Sequence, residues 1–443
     1  MSVLVLIGLM PASAHAQMDA TYAGQAEILI KDYVRNELFS GTVLVARNGK
    51  AIFRKGFGAA SREWAIPNAT STRFRIGSIG KQFTATAILK LVDEKKLELD
   101  EPIKTYLSDI PSNWERVTIR QLIAHTSGIP SYTGHKDFND KLIRLKHTPQ
   151  QLLELVKAAP LDFEPGSKFR YGNTGYILLG LIIEAASGLS YQDYLEQKLL
   201  KPLDLVNSGY DDGRKIIKHA AQGYSEDADH VVKAGPVDMS FAGAAGGMYS
   251  TVDDLLAWQQ MLANGKVLSP ASTAAMFTDS GHRYGLGWFI SERFSRKIYE
   301  HGGTLPGFNS TLDYYPDDKL TVIILSNFSD LFLAGKISNE LAGLALGLPP
   351  VHRQVKVDSR RYSLFQGRYQ LTPDMVISIA RNGDRLFAQV SGQKQLEIYP
   401  ESEYSYFYKA IDAVLTFDKE VSGRVEYVTL HQGGEKIKAK RID

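Results

Sequence analysis

Strand-like and helix-like periodicity are segregated along this chain, and that segregation restricts its fold more than any other feature. Near the start, residues 42–46 and 51–57 read as strands around Asn48-Gly49. Asn-Gly between two such runs is the strongest short-range hairpin signal, because both turn residues must accept positive φ. A second block of strands follows much later, at 287–291, 297–301, 310–315 and 320–326, with Pro316-Asp317-Asp318 as the turn before the last. Between the blocks the pattern is helical. Residues 78–97 place Phe83, Ala87, Leu91 and Val92 on one side, and further helices are expected at 149–157, 175–186, 191–199 and 251–262. A helix at 24–37 precedes the first strands, and one at 331–346 ends at Gly347 and Pro349-Pro350. One antiparallel sheet assembled from both ends of the first 348 residues, with a helical subdomain inserted, satisfies this order.

After about residue 355 the pattern changes again. Short runs at 375–379, 385–390, 395–399, 404–409, 414–417, 424–430 and 436–441 are separated by turn signals such as Asn382-Gly383-Asp384 and Gly433-Gly434. Evenly spaced short strands predict a small up-and-down sheet or a lipocalin-like barrel over 355–443, with its aromatics as core. At the other end, the apolar run 3–10 followed by Ala14-His15-Ala16 fits a signal peptide over 1–16, although no Lys or Arg precedes the run. That reading gives a catalytic domain at 17–348, a periplasmic or secreted location, and no membrane span in the mature chain.

Composition removes several function classes. The 443 residues are 44% hydrophobic and 23% charged, as in a globular protein with a sizeable core. Lys plus Arg total 51 against 49 Asp plus Glu, so no global charge argues for nucleic-acid binding. There is no cysteine, which excludes disulfides and thiolate chemistry. No histidine spacing suits a metal, Gly80-Lys81 lacks the rest of a phosphate-binding loop, and no Gly-x-Ser-x-Gly elbow occurs. No metal or other cofactor is expected.

Three short elements carry possible chemistry. Ser78 and Lys81 lie one turn apart at the start of the long helix, so the amine reaches the hydroxyl. Such a neighbour can activate a Ser alcohol, and a helix start aims N–H groups at a developing oxyanion. The plain alternative is Ser78 as an N-cap and Lys81 as a solvated residue. Tyr171 and Asn173 precede the helix at 175–186 and point the same way in an extended backbone. A phenol near a lysine can act as a base, or Tyr171 can simply pack while Asn173 caps the helix. His301-Gly302-Gly303-Thr304 ends a strand, where glycines let a substrate backbone approach; it also reads as an ordinary turn.

Taken together, the order of these elements resembles the β-lactamase/penicillin-binding-protein superfamily of serine hydrolases. The branch is that of class C β-lactamases, D-alanyl-D-alanine carboxypeptidases, D-aminopeptidases and related esterases. The phrases FRIGSIGKQFTATAILKLVDEKKLELDEPI, IRQLIAHTSGIPSY, FEPGSKFRYGNTGYILLGLIIE, AAGGMYSTVDDLLAW, YGLGW and EHGGTLPGFNS carry the resemblance from about residue 40 to 330. It implies an α+β fold, an antiparallel sheet flanked by helices with an inserted helical subdomain, followed here by the all-β tail. By the same resemblance Ser78 is the acylating nucleophile, Lys81 its partner and Tyr171 the catalytic tyrosine. Asn173 would contact the acyl side chain. The N–H groups of Ser78 and Thr304 would form the oxyanion hole. His301, Gly302 and Gly303 stand where class C enzymes have Lys-Thr-Gly, and Gly303 and Thr304 line the substrate.

A strand lysine would be a fixed cation for a substrate carboxylate, whereas His301 is at best half-charged near neutral pH. A neutral His301 could instead share hydrogen bonds with Tyr171. His125 is expected to be structural, and Glu164 to belong to a loop that positions Tyr171. The leading expectation is an acyl-enzyme hydrolase of small D-amino-acid peptides, amides or short esters, with weak β-lactam hydrolysis. A class C-type β-lactamase and a penicillin-binding or sensing module without turnover are the alternatives.

Overall fold

The structure, a computed structural model, describes residues 12–443 except 140, 228–229, 330–332, 410, 421–422 and 433; for 12–18 only the backbone is described. The apolar run of the expected signal peptide lies outside these residues. Residues 12–16 open helix α1, Ala12–Arg35. Among the described residues no single helix is long and apolar enough to cross a membrane.

The chain forms two compact units. The first takes Ser40–Tyr224 and Lys233–Ala342, with the chain up to Ala26; the second takes Glu27–Phe39, Ser225–Val232 and Gly343–Asp443. In the first unit, β1 (Gly41–Arg47) and β2 (Lys50–Phe57) form the expected hairpin. Asn48 and Gly49 are its two turn residues, with φ of 51° and 75°. Strands β3 (Phe289–Arg293), β4 (Arg296–Leu305), β5 (Phe308–Tyr315) and β6 (Leu320–Ser326) come from the far end of the segment. The six-stranded sheet runs β3-β4-β5-β6-β1-β2, joined where β1 pairs with β6, Val43 opposite Ile324. Both strands at this junction are buried almost throughout, so they read as continuous apolar runs. The edge strand β2 exposes Lys50, Arg54 and Lys55, which block pairing with another chain.

Helix α2 (Gly80–Asp93) departs from the one-sided reading: it is buried on nearly all sides. Its polar side chains are bonded internally except at Gln82 Nε2, which makes this possible. Thr84 Oγ1 donates to the Ala244 carbonyl at 2.7 Å, and Gln82 Oε1 accepts from Trp258 Nε1 at 3.2 Å. Phe83 stacks on Trp258 with ring centroids 4.0 Å apart, worth about 0.5–1.5 kcal/mol beyond area burial. Helix α3 (Thr174–Ser187) and the short α4 (Gly243–Gly246) pack against α2.

The second unit is built around a closed antiparallel barrel of eight strands. These are β7 (Gly367–Thr372), β8 (Met375–Asn382), β9 (Arg385–Val390), β10 (Leu396–Pro400), β11 (Ser405–Tyr408), β12 (Ala413–Phe417), β13 (Tyr427–Gln432) and β14 (Glu435–Arg441). The sequence reading omitted β7, which closes the barrel by pairing Tyr369 with Arg441. The interior is filled rather than hollow. Phe365 lies 4.4 Å from Phe417 and 5.4 Å from Tyr406, ring to ring. The unit also extends beyond the tail. Lys394 pairs with Glu226 at 2.9 Å, Asn36 Nδ2 donates to the Tyr399 hydroxyl at 3.1 Å, and Lys409 pairs with Asp32.

Candidate active site

A 3₁₀ turn, Gly77–Ile79, leads into α2 and holds Ser78. Neither this turn nor α2 has a side-chain cap, so Ser78 Oγ is not spent on capping. Gly77 has φ of 51°, and a Cβ there would meet the Thr304 nitrogen at 2.8 Å. Only glycine allows β4 to approach this closely.

One turn on, Lys81 is completely buried. Its Nζ meets three oxygens: Ser78 Oγ at 3.0 Å, Asn173 Oδ1 at 2.8 Å and the Ala245 carbonyl at 2.7 Å. The Tyr171 and Tyr176 rings lie 4.9 and 5.3 Å from it. No carboxylate pairs with it among the described residues, and burial pushes its pKa well below the ordinary 10.5.

Tyr171 and Asn173 sit just before α3. Asn173 Nδ2 donates to Thr133 Oγ1 at 3.3 Å, and its backbone N–H donates to Ser131 Oγ at 3.1 Å. These bonds turn Oδ1 toward Lys81, so Asn173 is engaged by the amine and its side chain does not cap α3. Ser131 and Thr133 were not singled out from sequence. Ser131 lies within the quoted HTSGIPSY phrase and Thr133 directly follows it, but a positioning hydroxyl has no spacing signature. The Tyr171 hydroxyl is buried and completes no full hydrogen bond. Burial raises its pKa strongly, while Ser78, the polar group facing it, lowers it in part. His125 packs 4.3 Å from the Tyr171 ring and accepts the Gly172 N–H through Nδ1 at 3.3 Å, the structural role expected of it.

Strand β4 supplies the third side. It pairs with β3 only as far as Glu300, so β4 from His301 onward presents an edge without a strand partner. His301 is 2% exposed, between Tyr171, Tyr284 and Phe289. Burial, then the Lys81 charge, lowers its pKa to about 3, against a smaller opposing effect of the Gly302 carbonyl. His301 is therefore neutral, not half-charged, at physiological pH. Its Nδ1 lies 2.6 Å from the Gly302 carbonyl and so carries the proton; Nε2 then faces the Tyr284 hydroxyl at 3.3 Å. The hydrogen-bond partner is Tyr284 rather than Tyr171, a residue quoted within YGLGW but given no role. The glycines also differ from expectation. Gly303 is forced by its own chain, because a Cβ would strike the Ile76 carbonyl and Ser310, whereas a Cβ at Gly302 would make only an ordinary contact with the Ser310 carbonyl at 3.5 Å. Thr304 is exposed, its Oγ1 held by Asn309 Nδ2 at 3.1 Å.

The structure thus brings Ser78, Lys81, Tyr171, Asn173, His301, Gly303 and Thr304 around one cleft. Among the described residues no three His, Asp or Glu side chains group as a metal site.

Comparison with known proteins agrees with this geometry. The beta-lactamase family profile matches residues 27–345. A penicillin-binding protein of Bacillus subtilis (strain 168) is 28% identical over 428 residues, covering 90% of this chain and 94% of its own. Among solved structures, an octameric penicillin-binding protein homologue from Pyrococcus abyssi is 26% identical with a TM-score of 0.69, covering 94% of this chain and 99% of its own. A D-stereospecific amidohydrolase from Streptomyces sp. is 28% identical with a TM-score of 0.59, covering 70% and 94%. With the split sheet, the Ser78–Lys81 turn and this likeness in agreement, the chain belongs to the beta-lactamase family of serine hydrolases.

Proposed function

We propose that this protein hydrolyses small D-amino-acid peptides and amides, or short esters, through an acyl-enzyme on Ser78. The observation that carries the mechanism is the arrangement around Lys81 Nζ. The Ala245 carbonyl and Asn173 Oδ1 can only accept hydrogen bonds, and Ser78 Oγ is the one neighbour able to donate. A neutral amine gives its two N–H groups to the two acceptors, which aims its lone pair at the Ser78 proton. The depressed pKa of Lys81 favours that neutral form.

As Ser78 Oγ attacks the carbonyl carbon, its proton passes to Lys81. The oxyanion lies against the N–H groups of Ser78 and Thr304. Tyr171, kept protonated by burial, gives its proton to the departing amine or alcohol. The proton on Lys81 then restores the phenol, leaving the acyl-enzyme. Water attack on the ester, with Lys81 again taking the proton, releases the acid and regenerates Ser78.

Neutral His301 leaves no fixed cation at its end of the cleft. That supports peptide, amide and ester substrates over efficient β-lactam hydrolysis. Similarity to the D-stereospecific amidohydrolase supports D-configured acyl donors. The test is a parallel panel of D- and L-aminoacyl anilides, short chromogenic esters and a cephalosporin, with intact mass recorded during turnover. Transient acylation of Ser78 and preference for the D-anilides or esters is the expected result. Rapid cephalosporin turnover alone points to a β-lactamase, and a persistent β-lactam adduct without turnover to a binding module. The leader reading predicts a mature N-terminus at Gln17 in a periplasmic or secreted fraction.

A further inference from the structure

The mechanism leaves one feature of the first unit unused. An open cleft of about 270 Å³ is lined by Arg75, Gln222, Lys233, Val237, Pro306 and Phe308. Ser78 and Thr304 do not line it, but the chain ties it to both. Arg75 precedes Ser78 by three residues on the same segment, and Pro306 follows Thr304 by two at the tip of the β4–β5 hairpin. Gly77, against the Thr304 nitrogen, joins the two segments. Along β4 this is the end opposite His301, about 16 Å away at strand rise.

Two cations face this cleft. Arg75 donates from Nε to Asp211 at 2.9 Å, while its terminal nitrogens bond to no described residue. Its guanidinium carbon sits 5.8 Å from the Phe308 ring centroid, which holds the group at the apolar wall. Lys233 is exposed and makes no hydrogen bond or ion pair among the described residues. The nearby acids are engaged. Asp211 is held by Arg75 and by the Gly213 N–H at 3.0 Å, and Glu63, which feels the Lys233 charge, binds Ser61 and Tyr224. A guanidinium fork with two open nitrogens beside an ammonium suits an oxyanion, and on a small acyl substrate of the kind proposed above that group is a carboxylate.

We propose that this cleft binds a free carboxylate of the substrate, so that the substrates are peptides, amides or esters carrying an anionic group on the portion that runs past Thr304. The assignment rests on Ser78 as the reacting residue for the placement of the substrate. It moves the anion site from the strand position held by His301 to the separate cleft at the tip of the β4–β5 hairpin, on Arg75 and Lys233.

The test is binding to the full chain carrying Ser78→Ala, which cannot be acylated. Dissociation constants are measured by calorimetry for three esters: p-nitrophenyl butyrate, the p-nitrophenyl monoester of glutarate, and 3-carboxy-4-nitrophenyl butyrate. The second carries its carboxylate on the acyl side and the third on the leaving group. One of the two anionic esters is expected to bind about tenfold more tightly than the neutral one. That preference falls to within about twofold when Arg75→Lys is added, loses about threefold with Lys233→Gln, and shrinks in high salt. Which ester wins identifies the part of the substrate that occupies the cleft. Equal binding of all three, or a preference that survives both substitutions, overturns the proposal. Turnover of p-nitrophenyl butyrate by the chain with Ser78 intact reports separately on the acyl-enzyme reading.

Discussion

Both units of this molecule bury clusters of aromatic rings, yet the two clusters do different things. In the barrel, Phe365, Tyr406 and Phe417 meet edge to face or tilted around a filled centre, and the charged neighbours stay at the rim. Arg361 over Tyr404 and Lys409 over Tyr399 keep part of their side chains in water. In the cleft, the Tyr171 and Tyr176 rings lie over a lysine with no carboxylate partner among the described residues, and His125, Tyr284, Phe289 and His301 pack around those rings. Rings that pack on each other stabilise a fold; rings that desolvate an amine change its chemistry. What separates scaffold from site is the uncompensated titratable group inside, not the aromatic density.

The contrast is sharpest for acylation. Ser78→Ala should abolish covalent labelling and lower turnover by about 10³-fold or more, with an unchanged melting temperature. Near-normal turnover would remove the cleft's claim to be a site. Tyr171→Phe keeps the ring and loses the proton, and should cost about 10²-fold in kcat. A normal acylation rate in that variant would return Tyr171 to packing alone.

His301 probes the cleft's desolvation. A lysine introduced there would be buried beside Lys81, so His301→Lys should not improve carboxylate binding, and should lower stability by about 1–3 kcal/mol. A gain in carboxylate selectivity measured as kcat/KM ratios would contradict the burial argument. The acid limb of stability gives an independent check. Folded His301 takes a proton only near pH 3, whereas in the unfolded chain it does so near 6.5. The unfolded state therefore binds more protons across that window, and stability falls as pH drops through it. Asp313, raised to about 6 by burial, works the opposite way between 3.8 and 6, so the comparison must be between parent and variant. His301→Asn should flatten the parent's acid slope in denaturant titrations; an unchanged slope would mean His301 is not held neutral.

The barrel should show the smallest effect on chemistry. Phe365→Ala leaves a hole in a filled interior and should cost about 3–5 kcal/mol of stability in the second unit. The rate constant for Ser78 labelling, measured below the melting transition, should stay within about twofold of the parent's. A large loss of labelling would break the division between the two clusters.

How much of this was legible in the sequence follows from what each feature depends on. The split sheet was readable because periodicity and the Asn48-Gly49 turn are local properties. The cleft residues were readable because Ser78–Lys81, Tyr171–Asn173 and His301–Thr304 are short spacings in a fixed order. Strand β7 was missed because it is six residues long and opens on Gly367-Arg368, leaving only Tyr369 and Leu371 to carry its alternation. The second unit's use of Glu27–Phe39 and Ser225–Val232 rests on ion pairs such as Lys394–Glu226, which no spacing reveals. A chain cut after Leu348 would strip Glu226 and Asn36 of these partners, so it removes more than a tail. The state of His301 was left open for a related reason. An imidazole's charge depends on its neighbours, and Tyr284 and Phe289 come from the turn and strand before it while Lys81 arrives from a distant helix. Ser131 and Thr133 were overlooked because hydrogen bonds to Asn173 exist only once the loops meet.

The central claim is that Lys81 is a buried neutral amine serving Ser78, and its most direct test is the pH dependence of Ser78 acylation. A neutral, non-titrating phosphonate ester is used, and the rate is followed by intact mass. Base catalysis by a depressed lysine predicts a rate that rises from the acid side and reaches its plateau well before about pH 10, the ordinary lysine range. A rate still climbing through about pH 10 to 11 would show an ordinary, protonated Lys81 and contradict the account.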